Sequence, residues 1–282
     1  MKLIADSGGT KTDWRLIGEF NTIHQAKTDG LNPYFLNEKE MVEILKSDPL
    51  QMFPAEEIEE VVFYGSGCSG DIQIARMQNV LSEVYSFAHV HVEHDLLGAA
   101  RAICGKNEGI AVILGTGANT CSYNGKHIVS NIPSLGYVLG DEGSGADLGK
   151  ALLTAFCLEK IPDHLDTAFR IKYGHGRDSL LQNIYSEPFP NRFLAGFTHF
   201  LSKNMDDPWI KNLVYQRFEL LFKNTIIQYP NAKNVPVGFV GSIAFYFSRY
   251  LRDIAESFDI QVGQILETPI AALTLFHMND DE

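Results

Sequence analysis

The chain has 282 residues, enough for two domains, and its content of 45% hydrophobic and 21% charged residues is typical of a globular protein. Its net charge of −12 argues against binding to nucleic acid or to an anionic membrane surface, because both are polyanions. No apolar run approaches the roughly 18 residues that a membrane-spanning helix needs.

Four cysteines, Cys68, Cys104, Cys121 and Cys157, lie far apart in the sequence and form no Cys-x-x-Cys pair. This spacing argues against a zinc ribbon or a disulfide framework and suits a reducing compartment. The N-terminus enters a predicted strand at once, so we expect no signal peptide and a cytoplasmic protein.

The first predicted element is a β-hairpin whose tip is rich in glycine. Leu3 to Ala5 is an apolar strand, Asp6 lies where it ends, and an apolar strand resumes at Trp14. The tip, Ser7-Gly8-Gly9-Thr10, is a turn that glycine makes cheaply, and backbone N–H groups gathered in such a turn bind phosphate oxygens. Asp6 is a candidate ligand for Mg²⁺, through water. An ordinary hairpin with two glycines is the alternative, and the spacing does not match a P-loop.

The rest of the first half alternates strands with helices. The pattern predicts strands over 21–27, 61–64 and 90–93, and helices from Asn37, over 71–85 and over 96–104. Asn37 with Glu40 makes a capping box, and Gly105 stops the last of these helices.

The second half repeats this order, with a helical insertion. Strands are predicted over 110–114, 120–123, 126–129, 236–240 and 260–266, and helices over 146–158, 161–229, 244–258 and 269–277. The hairpin turn is Asn124-Gly125. A second glycine turn, Gly115 to Asn119, follows the first of these strands. The acidic end, Asp280 to Glu282, is predicted to be a solvated tail.

The repeated order predicts an α/β fold of two duplicated domains, each a mixed sheet flanked by helices. We expect an N-terminal domain over 1–105, and a C-terminal domain over 106–267 with its insertion at about 160–230. A helix over 268–282 is expected to pack back towards the first domain. Ligands of such folds collect at the carboxyl ends of strands, in the crevice between units. Five polar or glycine positions fall at or just after predicted strand ends: Asp6, Ser66, Asp95, Thr116 and Gly241.

With both glycine turns placed, the chain resembles the sugar kinase/Hsp70/actin superfamily, whose domains are ribonuclease H-like, that is, actin-like ATPase domains. Asp6 to Thr12 resembles its first phosphate motif, Gly115 to Asn119 its second, and Gly238 to Ser242 its adenosine motif. Within the superfamily it is most similar to N-acetylglucosamine kinases of the BadF/BadG/BcrA/BcrD ATPase type, on Leu139 to Ser144 and Phe193 to Phe197. The resemblance covers almost the whole chain and implies ATP and Mg²⁺ as cofactors.

Two positions depart from the family pattern. The family usually has Gly-Trp-Gly shortly before Gly-Asp-Glu-Gly-Ser, where this chain has Ser134-Leu135-Gly136. That loop lies near the sugar in the family, so the departure bears on which sugar is bound. Ser7 stands where many members have glycine, a change expected to matter little.

Asp95 is the candidate catalytic base. A positioned carboxylate can orient a sugar hydroxyl and accept its proton as the O–P bond forms. Asp95 follows a predicted strand end, and the resemblance implies the same role for it. The alternative is an N-cap for the helix after it.

Four residues are candidate sugar ligands. The resemblance places Asp141 and Asn32 on the sugar, while a helix cap for Asp141 and an Asx turn for Asn32 are alternatives that the residues leave open. Ser66 and Asn119 are candidates of a kind expected in any turn.

The candidate ATP ligands lie in the three resembling motifs. They are Gly8, Gly9, Thr10, Lys11, Thr116, Gly117, Gly241 and Ser242. Lys11 is equally interpretable as a solvated surface lysine. His89, His91 and His94 lack an accompanying cysteine or carboxylate at ligand spacing, which argues against a metal site there.

The main hypothesis is ATP-dependent phosphorylation of an amino sugar, N-acetylglucosamine to its 6-phosphate. The alternatives are a kinase for glucosamine or N-acetylmuramic acid, an ATPase activator of a 2-hydroxyacyl-CoA dehydratase-type enzyme, and a non-catalytic binding module. Activators of that type use cysteine-ligated iron–sulfur clusters. The expected partners are the sugar and ATP, neither nucleic acid nor membrane, and a homodimer is left open.

Overall fold

A computed structural model describes residues 1–174 and 176–279. The chain divides into two compact units. Unit 1 comprises Met1–Asn107, the hairpin tip Asn124–Ile128 and the stretch that begins at Thr268, and unit 2 comprises Glu108–Tyr123 and Val129–Glu267. Within the described residues, no helix combines the length and the apolarity needed to cross a bilayer.

Strands and helices follow the alternation predicted for them. The strands are β1 (Lys2–Ser7), β2 (Lys11–Ile17), β3 (Ile23–Asp29), β4 (Glu60–Gly65), β5 (His89–His94), β6 (Glu108–Leu114), β7 (Ala118–Asn124), β8 (Ile128–Ile132), β9 (Val237–Val240) and β10 (Val262–Leu266). The helices are α1 (Glu38–Leu45), α2 (Asp48–Gln51), α3 (Asp71–Val84), α4 (Asp95–Cys104), α5 (Gly136–Leu139), α6 (Gly145–Cys157), α7 (Asp163–Tyr173), α8 (Arg177–Ser186), α9 (Pro190–Gly196), α10 (Thr198–Lys203), α11 (Pro208–Asn224), α12 (Ser242–Tyr246), α13 (Ser248–Ser257) and α14 (Ile270–Met278).

Unit 1 is built on a five-stranded mixed sheet in the order β3-β2-β1-β4-β5. β2 is antiparallel to β1, whereas β1, β4 and β5 run parallel to one another. The capping box predicted at Asn37 and Glu40 is present at the start of α1. Helix α14 packs against α4, β1 and β2, so the C-terminal helix belongs to this unit. The parallel strands therefore end at one edge of the sheet, and that edge carries the candidate residues.

Unit 2 has the same sheet plan in the order β10-β9-β6-β7-β8. β9 runs parallel to both β6 and β10, so these three strands also end at one edge. Its core joins the sheet to the inserted helices, with aromatic side chains such as Phe169, Phe218 and Phe222 fully buried. A two-unit α/β fold with duplicated mixed sheets was the fold predicted, and it is confirmed.

One predicted helix is divided in the structure, and one prediction falls outside the described residues. The helix predicted over 244–258 is divided at Phe247 into α12 and α13, since the backbone of Phe247 (φ −106°, ψ 19°) leaves the helical conformation. The solvated tail predicted over 280–282 lies outside the described residues.

Candidate active site

Three candidate residues lie at one edge of the unit 1 sheet because three parallel strands end there. The register aligns Ser7 of β1 with Gly65 of β4 and with His94 of β5. Ser66 and Asp95 are the next residues after two of these ends, and the backbone N–H of Ser66 donates to Ser7 O at 2.8 Å. Asp6 immediately precedes Ser7. The prediction that these strand ends cluster is therefore met within unit 1.

Asp6 lies in an acidic corner. Burial, together with the charges of Asp95 and Asp13, raises the pKa of Asp6 to about 7, while Lys11 acts in the opposite direction. Asp13 is opposite Asp6 in the β1–β2 ladder, and it also lies 3.1 Å from Lys27 Nζ and 3.7 Å from Lys11 Nζ. A divalent cation would offset repulsion between these carboxylates, and carboxylate oxygen is what Mg²⁺ prefers. The site thus fits the metal predicted for it.

The first glycine turn is supported from below by a residue that sequence reasoning missed. Gly8, Gly9 and Thr10 are exposed, and Gly8 N–H donates to Lys11 O at 3.0 Å. Gly30 N–H donates to Thr10 O at 3.0 Å, and a Cβ on Gly30 would lie 2.5 Å from Gly8 O. Only glycine permits this close approach, so Gly30 allows the backbone of the turn to pack directly against its own. Gly30 directly follows β3, and in the sequence it is one more glycine in a loop.

Ser7 does more than replace the glycine that is common in the family. Its hydroxyl is fully buried, lies 2.7 Å from Thr12 Oγ1 and accepts from Leu31 N–H at 3.0 Å. It ties both the turn and the 30–33 loop to the end of β1. A buried hydroxyl needs such partners, so the change from glycine is structurally coupled to Thr12.

The side chains of Asn32 and Ser66, both predicted to be sugar ligands, lie close together in unit 1. Asn32 Oδ1 accepts from Tyr34 N–H at 2.9 Å, the predicted Asx turn, and Asn32 Nδ2 lies 3.4 Å from Ser66 Oγ. Gly67 adopts φ +85°, and a Cβ there would lie 2.6 Å from Asn32 Oδ1. The Asx turn uses the oxygen of the amide, so a sugar contact by Asn32 falls to its Nδ2 group.

The N-cap alternative for Asp95 is wrong. Asp95 is the first residue of α4, and His94 is the N-cap, since His94 Nδ1 accepts from Leu96 N–H at 3.0 Å. The strand passes into the helix without a loop, which places the cap on the last strand residue. Asp95 Oδ1 lies 2.9 Å from His94 Nδ1, and both side chains are about one-quarter exposed. The carboxylate of Asp95 is therefore not consumed by helix capping.

In unit 2, the second glycine turn is fixed by the start of α6. Gly145 N–H donates to Gly115 O at 2.8 Å and Ala146 N–H donates to Thr116 O at 3.0 Å. The first N–H groups of a helix have no partner within it, so the turn satisfies two of them. Thr116 and Gly117 thereby occupy a rigid position after β6.

The helix-cap alternative for Asp141 is also wrong. Ser144 caps α6, its Oγ accepting from Asp147 N–H at 3.2 Å. Asp141 instead accepts at Oδ1 from Ser134 Oγ at 2.9 Å, and a Cβ on Gly117 would lie 2.8 Å from Asp141 Oδ2. Burial raises the pKa of Asp141, against the hydrogen bonds from Ser134 and the Ala118 backbone. The predicted sugar ligand thus lies directly beside the predicted phosphate turn.

A cavity of about 150 Å³ lies within unit 2, with Asp141 in a lining that is part polar and part apolar. Its walls include Asn119, Ser134 and Asn224, and Asn224 Nδ2 donates to Glu142 Oε1 at 2.9 Å. Asn119 Oδ1 accepts from Thr120 N–H at 2.9 Å and from Asn131 Nδ2 at 3.1 Å. Two predicted sugar ligands, Asn119 and Asp141, therefore share one cavity.

A buried ion pair that sequence reasoning missed holds the Gly-Asp-Glu-Gly-Ser loop. Asp147 is 1% exposed and receives two bonds from Arg217, at 2.6 and 2.7 Å. Its Oδ2 also accepts from Gly143 N–H at 2.9 Å. Asp147 was visible in the sequence as a charge on an apolar helix face, but its partner lies 70 residues later in α11.

The adenosine-motif residues Gly241 and Ser242 lie where β9 passes into α12. Gly241 has φ +125°, and a Cβ there would overlap Leu114 O. Its N–H donates to Leu266 O at 2.9 Å, joining it to the end of β10. Glycine is required at this position for both conformation and space.

A search of residues 1–174 and 176–279 finds no group of three or more His, Cys, Asp or Glu side chains arranged to hold a metal ion. His89 and His91 are exposed on β5, and His94 Nδ1 contacts Leu96 N–H in α4 and the Asp95 carboxylate. A Mg²⁺ ion at Asp6 would therefore take most of its ligands from water and phosphate, as this ion usually does.

The chain is similar along its full length to proteins of known structure. A proposed N-acetylglucosamine kinase from Porphyromonas gingivalis is 36% identical, with each chain covered in full and a TM-score of 0.95. A second proposed N-acetylglucosamine kinase, from Chromobacterium violaceum, is 22% identical over 98% of each chain with a TM-score of 0.71. A glucokinase of the ROK family from Streptomyces griseus, solved with glucose and AMPPNP, shares the fold at 13% identity, with a TM-score of 0.61 over 98% of this chain and 97% of that one. No family model and no curated protein sequence matches the chain.

Proposed function

This chain belongs to the N-acetylglucosamine kinase family of sugar kinases, and we propose that it transfers the γ-phosphoryl group of ATP to the 6-hydroxyl of N-acetylglucosamine. The observation that carries the proposal is the unit 1 edge, where Asp6, Ser66 and Asp95 meet at the ends of three parallel strands. Phosphoryl transfer depends on positioning and charge neutralisation, and this edge offers a base and a cation site together.

Asp95 acts as the base. Its carboxylate orients the sugar hydroxyl and accepts the hydroxyl proton as the new O–P bond forms. The bond between the γ-phosphorus and the β–γ bridging oxygen breaks at the same time, and ADP leaves with that oxygen. Support comes from the position of Asp95 as the first residue of α4, where its carboxylate makes no capping bond to the helix.

Asp6 holds Mg²⁺ through water. When bound, the ion neutralises charge on the phosphate oxygens. The raised pKa of Asp6 supports this assignment, because a carboxylate among like charges gains most from a neighbouring cation.

The nucleotide is bound by backbone N–H groups of the two glycine turns and by nearby side chains. In unit 1 these are Gly8, Gly9, Thr10 and Lys11. In unit 2, Thr116 and Gly117 face phosphate, while Gly241 and Ser242 face adenosine. The exposed first turn and the rigid second turn are both suited to an anion.

Asn32, Ser66, Asn119 and Asp141 bind the sugar hydroxyls and the acetamido group. Asp141 Oδ1 is already held by Ser134, which stands in the loop that is Gly-Trp-Gly in much of the family. In that loop, Ser134 stands where the family has its first glycine and Leu135 stands where it has tryptophan.

A panel of sugars with ADP release as the readout tests this function. The panel is N-acetylglucosamine, N-acetylmannosamine, N-acetylmuramic acid, glucosamine and glucose, each with ATP and Mg²⁺. We expect the highest kcat/KM with N-acetylglucosamine and a phosphomonoester at carbon 6 by ³¹P-coupled NMR. Preference for another sugar would correct the substrate, and ADP release that no sugar stimulates would overturn the kinase function.

A further inference from the structure

His94 is in contact with the proposed base in a way that its capping role does not require. Its Nδ1 atom lies 3.0 Å from Leu96 N and 2.9 Å from Asp95 Oδ1. One ring nitrogen either accepts a hydrogen bond or donates one, and it cannot do both at once. Nδ1 accepts from Leu96 when it carries no proton, and it donates to the carboxylate when it does. Capping of α4 and contact with Asp95 therefore compete for one atom.

The surroundings of the pair favour the protonated state of Nδ1. Burial alone would lower the pKa of the His94 imidazole, but the hydrogen bond to Asp95 and the charge of that carboxylate outweigh burial and raise it. The other titratable groups that face this corner are Asp6 on β1 and Cys68 after β4, since the charge of Asp95 raises the pKa of both. Both of these neighbours are acids, so His94 is the basic group among them.

From this geometry, and resting on the proposed kinase function, we propose that His94 is a positioning residue for Asp95. Its Nδ1–H holds Oδ1 of the carboxylate, so that the second oxygen, Oδ2, is presented to the sugar hydroxyl. The same bond offsets repulsion between Asp95 and Asp6, two acids at the ends of strands that have β4 between them. The two carboxylates thereby take different roles, with Asp95 as base and Asp6 as the cation site.

The test separates this role from capping by choosing replacements that keep one and lose the other. Asn is a favoured N-cap, so His94→Asn retains an acceptor for Leu96 N–H but cannot offer a cationic donor to Asp95. His94→Ala loses both. His91→Asn is the matched control, an exposed histidine on the same strand.

We expect His94→Asn to keep the KM for both substrates and to have a Tm no lower than wild type, because its side-chain oxygen accepts from Leu96 N–H without competition, while kcat falls about tenfold to a hundredfold, the range for one hydrogen bond to a charged group. His94→Ala should show the same loss of kcat with a Tm below that of His94→Asn. His91→Asn should match wild type in all of these quantities. Full kcat in His94→Asn would overturn the proposal and leave His94 as a cap only.

A readout independent of turnover distinguishes this proposal from the proposed function. In wild type, the ring ¹⁵N signals of His94 should titrate at higher pH than in Asp95→Asn, because the carboxylate holds the Nδ1 proton. Identical titration in the two proteins would overturn the contact, whatever the activity. If the His94 titration differs between the two proteins as expected but the wild-type protein phosphorylates no sugar, the kinase function is overturned, and the positioning role with it.

Discussion

In unit 1, β4 and β5 are followed by Ser66 and Asp95, whereas in unit 2 the corresponding strands, β9 and β10, are followed by Gly241 and Glu267. The correspondence comes from the sheet orders, β3-β2-β1-β4-β5 in one unit and β8-β7-β6-β9-β10 in the other. Unit 1 thus places a hydroxyl after β4 and a carboxylate after β5, whereas unit 2 places glycine backbone after β9 and a carboxylate after β10. The two units differ at the ends of β4 and β9, where one offers a side-chain hydroxyl and the other backbone N–H.

The acids of the two units also differ in what surrounds them. Asp6 of unit 1 lies among like charges, which together with burial raise its pKa. Asp147 of unit 2 receives two bonds from Arg217 and one from Gly143 N–H. We infer that the first acid is maintained for ligand binding at some expense of stability, and that the second is structural. Four experiments test this difference, from the largest expected effect to the smallest.

Asp95→Asn should lower kcat by about a hundredfold to ten-thousandfold, because a general base contributes about that much. The KM for ATP and the Tm should stay near wild type, since His94 remains the cap of α4. Steady-state kinetics with N-acetylglucosamine measures the loss. The matched control is Glu267→Gln, at the corresponding strand end of unit 2, which should keep normal turnover. Equal losses in both variants would contradict the division of roles.

Arg217→Met should reduce the free energy of unfolding by about 3–5 kcal/mol, because the buried Asp147 carboxylate loses both guanidinium bonds and Lys150 Nζ, 3.9 Å from Asp147 Oδ1, is too distant to replace them. Urea unfolding measures the change. Adding Asp147→Asn to the same chain should recover much of the loss, since the neutral amide oxygen still accepts from Gly143 N–H. A double variant no more stable than Arg217→Met would show that lost packing, and not the uncompensated charge, sets the cost.

Asp6→Asn should stabilise the protein at pH 8 in the absence of Mg²⁺, the opposite of the effect of Arg217→Met. The pKa of Asp6 is raised from its ordinary 3.8 to about 7, so its contribution to stability is present below pH 3.8 and is lost as the pH rises through 7. In EDTA at pH 8, the Asn variant should therefore melt a few degrees above wild type, and this advantage should vanish near pH 4. Mg²⁺ should raise the Tm of wild type at pH 8 and leave the variant unchanged. A destabilised variant at pH 8 would show that Asp6 is a structural acid.

Lys11→Met should raise the KM for ATP about threefold to tenfold, the effect of losing one charge-assisted contact to phosphate. Lys27→Met is the matched control, because both lysines lie beside Asp13 and both side chains are more than half exposed. We expect Lys27→Met to leave this KM unchanged. Equal, small effects of the two substitutions would identify Lys11 as a solvated surface lysine.

The sequence predicted elements better than the contacts between them. Periodicity and glycine turns located the strands and helices of both units, because burial and local turn chemistry act over a few residues. Helix capping was considered only as an alternative role for Asp95 and Asp141, and the residues that cap α4 and α6 are His94 and Ser144, one and three residues away. A histidine is an unusual cap, and only a strand that passes straight into a helix places one there.

Contacts that join distant parts of the chain gave no local signal. Gly30 follows β3 and its backbone lies against that of Gly8. Its role in supporting the first turn is visible only once the two backbones are seen together. Arg217 reaches Asp147 from a different helix. Ser7 was expected to be a harmless change from glycine, but its buried hydroxyl bonds Thr12. The roles of the candidate site residues stay predictions, to be decided by kinetics.

Unit 1 is assembled from parts that are distant in the chain, because helix α14 packs against α4, β1 and β2. Its buried side chains Ile270 and Leu273 pack in a unit whose sheet was completed at β5, and Tyr64 OH lies 2.8 Å from His277 Nε2. During synthesis, the first-made sheet must therefore wait for all of unit 2 to emerge before α4 is covered. The part of the chain that is translated first is finished last, and a nascent chain halted within unit 2 carries an open apolar surface.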